Sequence, residues 1–193
     1  MEDKLKAISH HILSNEWATL VRVDYDYKFK NGWKRLSRES YNRGNGTALL
    51  LYNPNKGTVI LTKQFRMPAY VNNPKDGMSI EVCAGAIDKN EPPETCIIRE
   101  AREEVGYSVN SVKKVMECYM SPGAVTEKMY LFVAEYNDTM KITDGGGLDA
   151  EDEEIEVLEL PFYKAMAMID SFEIIDAKTI MLLQYAKLHK LVE

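Results

Sequence analysis

The sequence contains few of the residues that build disulfide frameworks or zinc sites. Its 193 residues include three cysteines, Cys83, Cys96 and Cys118, and no two of them form a CxxC pair. The three histidines show no ligand spacing either. An odd number of cysteines in this arrangement indicates neither a disulfide scaffold nor a zinc site. We therefore expect reduced thiols in a cytoplasmic protein.

Long hydrophobic runs and an excess of positive charge are also absent. No stretch approaches the roughly 18 apolar residues of a membrane span, and the charged start of the chain does not resemble a signal peptide. With 24 basic and 30 acidic residues, the net charge is −6. This balance argues against a nucleic-acid polymer as partner. It permits a small phosphorylated ligand, because a bound metal supplies positive charge locally.

Residues 1–42 are predicted to form an N-terminal β arm ahead of a main domain at 43–193. The strands of this arm alternate polar and apolar residues, as half-buried strands do. An exposed ribbon of this length tends to aggregate unless its edge is covered, so we expect the arm to mediate a homodimer. The predicted elements of the arm are a short helix at 3–14 and two strands, at 17–29 and 33–41, joined by a hairpin turn at Asn31 and Gly32.

The main domain reads as a mixture of strands and a few helices, which predicts an α/β (α+β) fold with helices packed on the faces of a mixed sheet. Strands are predicted at 47–52, 58–66, 79–83, 112–119, 128–136 and 154–160. Helices are predicted at 92–105, from 161 to about 170, and from a cap at Asp176 to about 190. Residues 67–78 and 137–152 are predicted loops.

Three glutamates of the predicted helix at 92–105 share one face. Glu100, Glu103 and Glu104 are spaced i, i+3 and i+4, and like charges at this spacing destabilise a helix by about 0.2–0.5 kcal/mol per pair. A hard cation removes that penalty, and Mg²⁺ binds a few carboxylates together with waters and phosphate oxygens. Arg99, one turn before Glu103, can pair with that carboxylate. The apolar residues occupy a neighbouring face that can pack on the sheet: Ile97, Ile98, Ala101 and Val105.

Residues 85–107 read GAIDKNEPPETCIIREAREEVGY. The segment resembles the signature of the Nudix hydrolases, G-x5-E-x7-R-E-U-x-E-E-x-G-U, in which U is a bulky aliphatic residue. Ala101 and Tyr107 fill the U positions loosely. The resemblance implies a Nudix fold, with a mixed β-sheet sandwiched between helices, and hydrolysis of a nucleoside diphosphate linked to another moiety. The matching residues are Gly85, Glu91, Arg99, Glu100, Glu103, Glu104 and Gly106.

The same resemblance implies a Mg²⁺ cofactor and its ligands. Glu100 and Glu104 would bind the metal directly, and the backbone carbonyl of Ala84 would complete the site. Glu103 would be a further or water-mediated ligand, held in place by Arg99, so that both belong to the catalytic set. Glu91 would serve the structure of the loop–helix unit.

Segments outside 85–107 resemble one branch of this family, the ADP-ribose and nucleotide-sugar pyrophosphatases, and within it the GDP-mannose pyrophosphatases. The likeness covers nearly the whole chain and implies GDP-mannose as substrate, with GMP and mannose 1-phosphate as products. The segments are YNRGNGTALLLYN (41–53), QFR (64–66), EVCAG (81–85), YMSPGAVTE (119–127), GGG (145–147), EDEEIEVLELP (151–161) and DAKT (176–179).

The likeness to this branch also assigns roles to individual residues. Glu153 would be the catalytic base or a late metal ligand, delivered by a mobile loop. Arg66 would bind phosphate through its planar guanidinium, and Trp17 would stack on the base. Glu127 and Lys178 would line the sugar-phosphate end. The other expected substrate contacts are Arg38, Glu39 and Ser40, which would reach the nucleotide of the partner subunit, and Ala84, Gly85, Ala86, Glu104 and Asp152.

Two other functions stay open from the sequence. The first is an ADP-ribose pyrophosphatase, which performs the same chemistry on a different base and sugar. The second is a non-catalytic Nudix-fold regulator that binds nucleotides; such modules usually lose acidic residues of the signature, and this chain retains them. A substrate panel separates the three possibilities.

Two further features lie in or beside the predicted loop at 137–152. The triple glycine at 145–147 has no following Lys-Ser/Thr and is therefore not a P-loop. We predict it to be a flexible loop tip. The acids Asp149, Glu151, Asp152 and Glu154 are expected to be solvated.

Overall fold

The computed structural model of the chain describes residues 2–75, 77–88, 90–148 and 152–193. Its contacts divide the chain into two units. One contains the residues up to Asn45 together with Tyr119–Lys128, and the other contains Gly46–Cys118 and Met129–Glu193. The segment Tyr119–Lys128 therefore makes its contacts with the N-terminal strands, while the division into an arm at 1–42 and a domain at 43–193 stays a prediction.

The N-terminal unit contains an antiparallel sheet of three long strands. They are β1 (Leu5–Asn15), β2 (Thr19–Phe29) and β3 (Gly32–Asn42), paired in that order and preceded by a 3-10 turn at Glu2–Lys4. The hairpin predicted between the last two strands is present, displaced by one residue. Gly32 pairs with Phe29 and has a φ of +110°, so the loop residues are Lys30 and Asn31, and the glycine supplies the positive φ that follows them.

The helix predicted at 3–14 is wrong, because this segment is strand β1. Leu5, Ile8 and Ile12 have the i, i+3, i+7 spacing of a helix face, which is why the local pattern favoured a helix. In the structure β1 pairs with β2, and two register shifts, one of them containing Ala7 at a φ of +52°, accommodate the irregular spacing. Hydrogen bonds to a neighbouring strand thus override the local preference.

The segment Tyr119–Lys128 is attached to the C-terminal end of β3. The Tyr41 amide donates to the carbonyl of Ala124 at 2.9 Å, and the Thr126 amide donates to the carbonyl of Tyr41 at 3.0 Å. The Lys128 amide donates to the Asn45 side chain at 3.0 Å. These bonds hold the loop beside the strand that carries Arg38.

The described residues of the main unit form a mixed sheet and four helices. Its strands are β4 (Gly46–Asn53), β5 (Thr58–Phe65), β6 (Met78–Glu81), β7 (Cys83–Ala86), β8 (Lys113–Tyr119), β9 (Lys128–Glu135) and β10 (Glu156–Pro161). Its helices are α1 (Met67–Asn72), α2 (Pro93–Glu103), α3 (Phe162–Asp170) and α4 (Ala177–Leu188). The strand order is β10-β5-β4-β9-β8, with β6 paired to β5 and β7 paired to β4. The β4–β9 pair is parallel, and this mixed sheet with helices confirms the predicted fold class.

Three local predictions for the main unit need correction. The loop predicted at 67–78 contains helix α1, and the loop at 137–152 contains a 3-10 turn at Asp138–Met140. The single strand predicted at 79–83 is two strands that pair with different neighbours. They part at Val82, whose amide donates to the Thr179 hydroxyl at 2.8 Å instead of to a strand.

Helix α2 packs over β4 and β7, and its apolar face enters the hydrophobic core. A cluster of buried residues in this core comes from the sheet, from this helix and from positions just beyond them: Leu49, Leu51, Ile60, Cys83, Ile97, Ala101, Val105, Phe132 and Tyr136. Because the packed face is fully buried, the direction of the acidic face of α2 is fixed. Among the residues that the structure describes, no helix has the length and apolar character needed to cross a membrane.

Candidate active site

Helix α2 has clear start and stop signals. Pro92 precedes it with a φ of −64°, and Pro93 occupies its first position, where a missing amide hydrogen costs nothing. Gly106 follows its end with a φ of +76°. A β-carbon on Gly106 would lie 2.3 Å from the carbonyl oxygen of Thr143, so only glycine fits between the helix and the loop beyond it.

Arg99 joins three carboxylates around the helix. Its Nη1 lies 2.7 Å from Glu103, and its Nη2 lies 3.0 Å from Glu100 and 3.4 Å from Glu91. Burial alone would lower the pKa of Arg99, but hydrogen bonds and charge from Glu91, Glu100 and Glu103 outweigh it and raise the pKa. The spacing predicted the Glu103 pair, and the structure adds the other two. Arg99 therefore organises the acidic face.

The carboxyl groups of Glu100 and Glu104 have little contact with solvent. The side chain of Glu104 is buried, and one of its oxygens accepts the Ala84 amide at 2.9 Å. Burial, with the charges of Glu100 and Glu153 added, raises the pKa of Glu104 to about 8. Burial also raises the pKa of Glu100 to about 7, against the opposing charge of Arg99. Both carboxyl groups are therefore in a site that favours added positive charge.

Gly85 brings the strand backbone against the Glu100 side chain. A β-carbon at this position would lie 2.0 Å from Glu100 Oε1 and 2.1 Å from its Cδ. Any side chain on residue 85 would therefore push this carboxylate away. The first residue of the signature segment is a glycine because strand β7 and helix α2 approach this closely.

The donor set fits a hard divalent cation. Glu100 and Glu104 offer carboxylate oxygens, and burial, reinforced by neighbouring carboxylates, raises the pKa of both. Within the described ranges, no three histidine, cysteine or acidic side chains converge as a ready-made metal site. Glu100 and Glu103 are instead paired with Arg99. The chemistry of these oxygens suits Mg²⁺, and the ion would compete with the guanidinium for them.

The triple glycine is not a free loop tip, because it is bonded to the end of α2. The Gly146 amide donates to the carbonyl of Glu104 at 2.9 Å, and the Gly147 amide donates to the carbonyl of Glu103 at 3.2 Å. These carbonyls belong to the last turn of the helix, where no partner exists within the helix itself. A β-carbon on Gly145 would lie 2.5 Å from the Glu104 carbonyl oxygen, which explains the need for glycine.

The docked loop places Glu153 near the carboxylates of α2. Its carboxylate accepts the Leu148 amide at 3.3 Å, and its charge contributes to the raised pKa values of Glu100 and Glu104. Asp152, beside it, is exposed with a φ of +54°. Glu154 is exposed, as expected for a solvated acid, whereas Asp149 and Glu151 lie outside the described residues.

Arg66 and Lys178, two predicted substrate contacts, meet at a shared carboxylate. Glu81 accepts Arg66 Nε at 2.9 Å and Arg66 Nη2 at 3.0 Å, and it also accepts Lys178 Nζ at 2.5 Å. Lys178 donates in addition to Asp176 at 2.8 Å. Burial alone would raise the pKa of Glu81, but the two cations outweigh it and lower the pKa to about 2. The two cations are thus held together, and Glu104 lies near enough to Arg66 to raise its pKa.

In the N-terminal unit, Trp17 and Glu127 are linked through Arg43. The Arg43 guanidinium lies 5.3 Å from the centre of the Trp17 ring, and its Nε lies 3.3 Å from the Glu127 carboxylate. Trp17 is 76% exposed, so its ring is not part of a core. An exposed indole beside a guanidinium is a surface on which a planar base can stack.

Arg38, Glu39 and Ser40 line a groove of about 560 Å³ on the same unit. The other wall of this groove is Tyr119 and residues 122–126. The resemblance had assigned Arg38, Glu39 and Ser40 to the substrate and had linked the segment 119–127 to the substrate branch, and the structure brings the strand and the segment together. Their roles in binding stay predictions.

Three residues of these sites had no assigned role from the sequence. Glu81 and Arg43 connect predicted residues that are far apart in the chain, so no local spacing signals them. Cys83 donates a weak hydrogen bond to Glu104. Ala86 lies at the exposed end of β7, where its carbonyl accepts the thiol of Cys96 at 3.3 Å. Glu81 and Cys83 lie in the segment EVCAG, whose likeness to one branch of the family points to the segment and not to the role of either residue.

Comparison with known proteins agrees with this arrangement. A family model described as NUDIX domain matches residues 42–183, and one described as GDP-mannose pyrophosphatase NudK N-terminal domain matches residues 4–41. A protein of Yersinia enterocolitica serotype O:8 / biotype 1B named GDP-mannose pyrophosphatase is 52% identical over 194 residues, which cover 100% of both chains. One of Salmonella typhimurium with the same name is 50% identical over 194 residues, again with 100% of both chains covered.

A further likeness concerns the fold alone. A crystal structure described as an ADP compounds hydrolase superposes with a TM-score of 0.70 and covers 96% of each chain, at 20% sequence identity. At that identity the likeness supports the mixed sheet and its helices and carries no information about the substrate.

Proposed function

The chain belongs to the Nudix family, and we propose that it is a hydrolase that cleaves the pyrophosphate bond of a nucleoside-diphosphate sugar. GDP-mannose is the substrate, and GMP and mannose 1-phosphate are the products. The observation that carries this proposal is the likeness over the whole chain to proteins named GDP-mannose pyrophosphatase, which includes the N-terminal segment as well as the acidic helix.

Mg²⁺ is the cofactor in this proposal. Glu100 and Glu104 hold it, with the carbonyl of Ala84 as a further ligand. When bound, Mg²⁺ polarises phosphate oxygens and stabilises the charge of the leaving group. The burial of the two carboxylates, which raises the pKa of both, supports this assignment. Arg99 keeps Glu103 and the rest of the acidic face in place around them.

Glu153 is the general base in this proposal. Its carboxylate takes the proton of the water that attacks phosphorus, and no covalent intermediate with the protein is needed. Support comes from its nearness to Glu100 and Glu104 and from the bonds that dock residues 145–147 on the end of α2. The docked loop limits where the carboxylate can lie, which is what a positioned base requires.

Substrate recognition is divided between two groups of residues. Arg66 and Lys178 bind the phosphates, because each retains N–H donors beyond those used by its carboxylate partners. Trp17 stacks on the base. The remaining contacts come from Arg38, Glu39, Ser40 and Glu127 of the N-terminal unit, and from Gly85, Ala86 and Asp152. We propose that the N-terminal unit mediates a homodimer and serves the site of the partner subunit, in a cytoplasmic protein.

A substrate panel with product identification by mass spectrometry tests the proposal. Purified protein with Mg²⁺ is given GDP-mannose and, separately, ADP-ribose, and kcat/KM is compared. We expect a preference for GDP-mannose and masses corresponding to GMP and mannose 1-phosphate. A preference for ADP-ribose would overturn the substrate assignment, and absence of hydrolysis of both would favour a binding protein. Glu104→Gln is the control for contaminating activity, since it should lose turnover by orders of magnitude.

A further inference from the structure

Glu81 is the centre of a buried ionic network to which the proposed reaction assigns no role. Its side chain is only 5% exposed, and it lies at the end of strand β6. One oxygen accepts Arg66 Nε, and the other accepts both Arg66 Nη2 and Lys178 Nζ. A single carboxylate therefore fixes two cations, Arg66 directly after β5 and Lys178 in α4.

The far side of the network is also fixed. Asp176 accepts Lys178 Nζ with one oxygen, and with the other it accepts the amide and the hydroxyl of Thr179, at 2.9 and 2.6 Å. The same hydroxyl accepts the Val82 amide at 2.8 Å. The N-terminus of α4 is thereby joined to the junction of β6 and β7. Lys178 is 13% exposed and has little freedom to change its position.

The pairing leaves donors for an anion. A guanidinium has five N–H donors, of which Glu81 engages two, and an ammonium has three, of which Glu81 and Asp176 engage two. The remaining donors belong to groups whose positions are fixed by shared partners. Two cations fixed in this way lose little side-chain entropy when an anion binds.

We propose that Glu81 is a positioning residue, which holds Arg66 and Lys178 as one rigid receptor for the diphosphate group of the substrate. This inference rests on the proposed function, in which both cations bind phosphate. Glu81 does not touch the substrate and acts through the two cations. A diphosphate suits such a receptor, because it presents oxygens on two adjacent phosphorus atoms to two adjacent donors.

Glu81→Asp tests positioning apart from charge. The variant keeps the negative charge that balances the buried Lys178, but it is one methylene shorter and cannot hold both cations in their present places. We expect KM for GDP-mannose to rise about tenfold while kcat stays within about threefold, which is the pattern of a lost binding interaction. We also expect about tenfold weaker binding of inorganic pyrophosphate with Mg²⁺ present, measured by titration calorimetry.

Glu159→Asp is the matched control. Glu159 is another carboxylate of the main unit that joins several partners, since it accepts Tyr136 at 2.9 Å, Thr58 at 3.3 Å and Lys56 at 3.4 Å. Glu159 belongs to neither proposed binding group, so the KM and the pyrophosphate affinity of the Glu159→Asp variant should match those of the unaltered protein. If Glu159→Asp weakens pyrophosphate binding as much as Glu81→Asp does, the effect is not specific and the inference is wrong.

Glu81→Gln distinguishes positioning from competition. If Glu81 only competes with the substrate for the cations, removing its charge will tighten pyrophosphate binding, and that result would overturn the inference. Wild-type KM and pyrophosphate affinity in Glu81→Asp would overturn it as well. Pyrophosphate binding is measured without turnover, so it tests the role of Glu81 even if the protein hydrolyses no nucleotide sugar. Absence of nucleotide-sugar hydrolysis would contradict the proposed function alone.

Discussion

Replacement of Gly85 by alanine is expected to disable catalysis while the fold remains intact. The new β-carbon would lie 2.0 Å from Glu100 Oε1, whereas ordinary contacts begin at 3.4 Å. The Glu100 carboxylate must therefore retreat by about 1.4 Å. The backbone itself tolerates the change, because Gly85 lies in strand β7 and is not among the glycines with positive φ. Glu100 is a proposed metal ligand, so the displacement acts directly on the reacting groups.

The size of the effect follows from this displacement. A misplacement of about 1 Å in an active site costs on the order of 10²-fold in rate. We therefore expect kcat for GDP-mannose hydrolysis to fall about 10²-fold, equivalent to about 2.7 kcal/mol of transition-state stabilisation. The concentration of Mg²⁺ needed for half-maximal rate should rise as well, since one ligand has moved. Steady-state kinetics over a Mg²⁺ titration measures both quantities.

Gly46→Ala is the control for the Gly85 variant. Gly46 lies on the adjacent strand β4, and its new β-carbon would meet the sulfur of Met129 at 2.6 Å, at the far end of a flexible side chain. Met129 can rotate away, so kcat should be unchanged. Both variants should unfold thermally within a few degrees of the unaltered protein, as about 1 kcal/mol corresponds to about 2–4 °C at this size. Unchanged kcat in Gly85→Ala would refute the role given to Glu100.

Three further predictions follow from the burial, exposure and spacing of single residues. The lowered pKa of Glu81 stabilises the fold above pH 4.5, and this contribution, about 3 kcal/mol, is lost as pH falls from 4.5 to about 2. The free energy of unfolding of Glu81→Gln should therefore depend less on pH in that window, and the same pH dependence in both proteins would contradict the ion-pair network. Trp17→Ala should raise KM about tenfold without changing the melting temperature, because the ring is 76% exposed; unchanged KM would exclude stacking on the base. Gly147→Ala places a β-carbon 2.6 Å from the Glu153 β-carbon, so kcat should fall, and the double variant with Glu153→Gln should lose little more kcat than Glu153→Gln alone. A full additional loss of kcat would show that the loop does not act through Glu153.

The acidic helix could be predicted from the sequence because its geometry is local. The spacing of Glu100, Glu103 and Glu104 fixes a shared face as soon as the segment is helical, and Pro93 and Gly106 mark its ends. Helix α4 was predicted in the same way from its cap, since Asp176 accepts the Thr179 amide three residues later. Such local signals can be interpreted without knowing which distant segments of the chain contact each other.

Three of the wrong predictions depend on partners that are distant in sequence. Strand β1 was mistaken for a helix because its spacing is helical and its pairing with β2 is not visible locally. The strand at 79–83 was not divided, because the bond that divides it joins Val82 to Thr179, 97 residues away. The triple glycine was predicted to be a loop tip, although its amides serve the carbonyls of Glu103 and Glu104 some forty residues earlier.

The candidate site follows the same division between local and distant contacts. The carboxylates proposed to hold the metal come from one turn of one helix, and the chemistry shared by the whole family therefore has a contiguous signature. The groups proposed to bind the substrate come from the N-terminal unit, from Arg66 after β5 and from α4. Within the main unit, Glu81 joins Arg66 to Lys178, which is 97 positions from Glu81 in the sequence. A reaction type can be encoded in about twenty neighbouring residues, whereas a pocket of a particular shape requires several segments to converge. For this reason the cleavage of a pyrophosphate bond could be predicted from the sequence of the helix, whereas the network around Glu81 could be identified only in the folded chain.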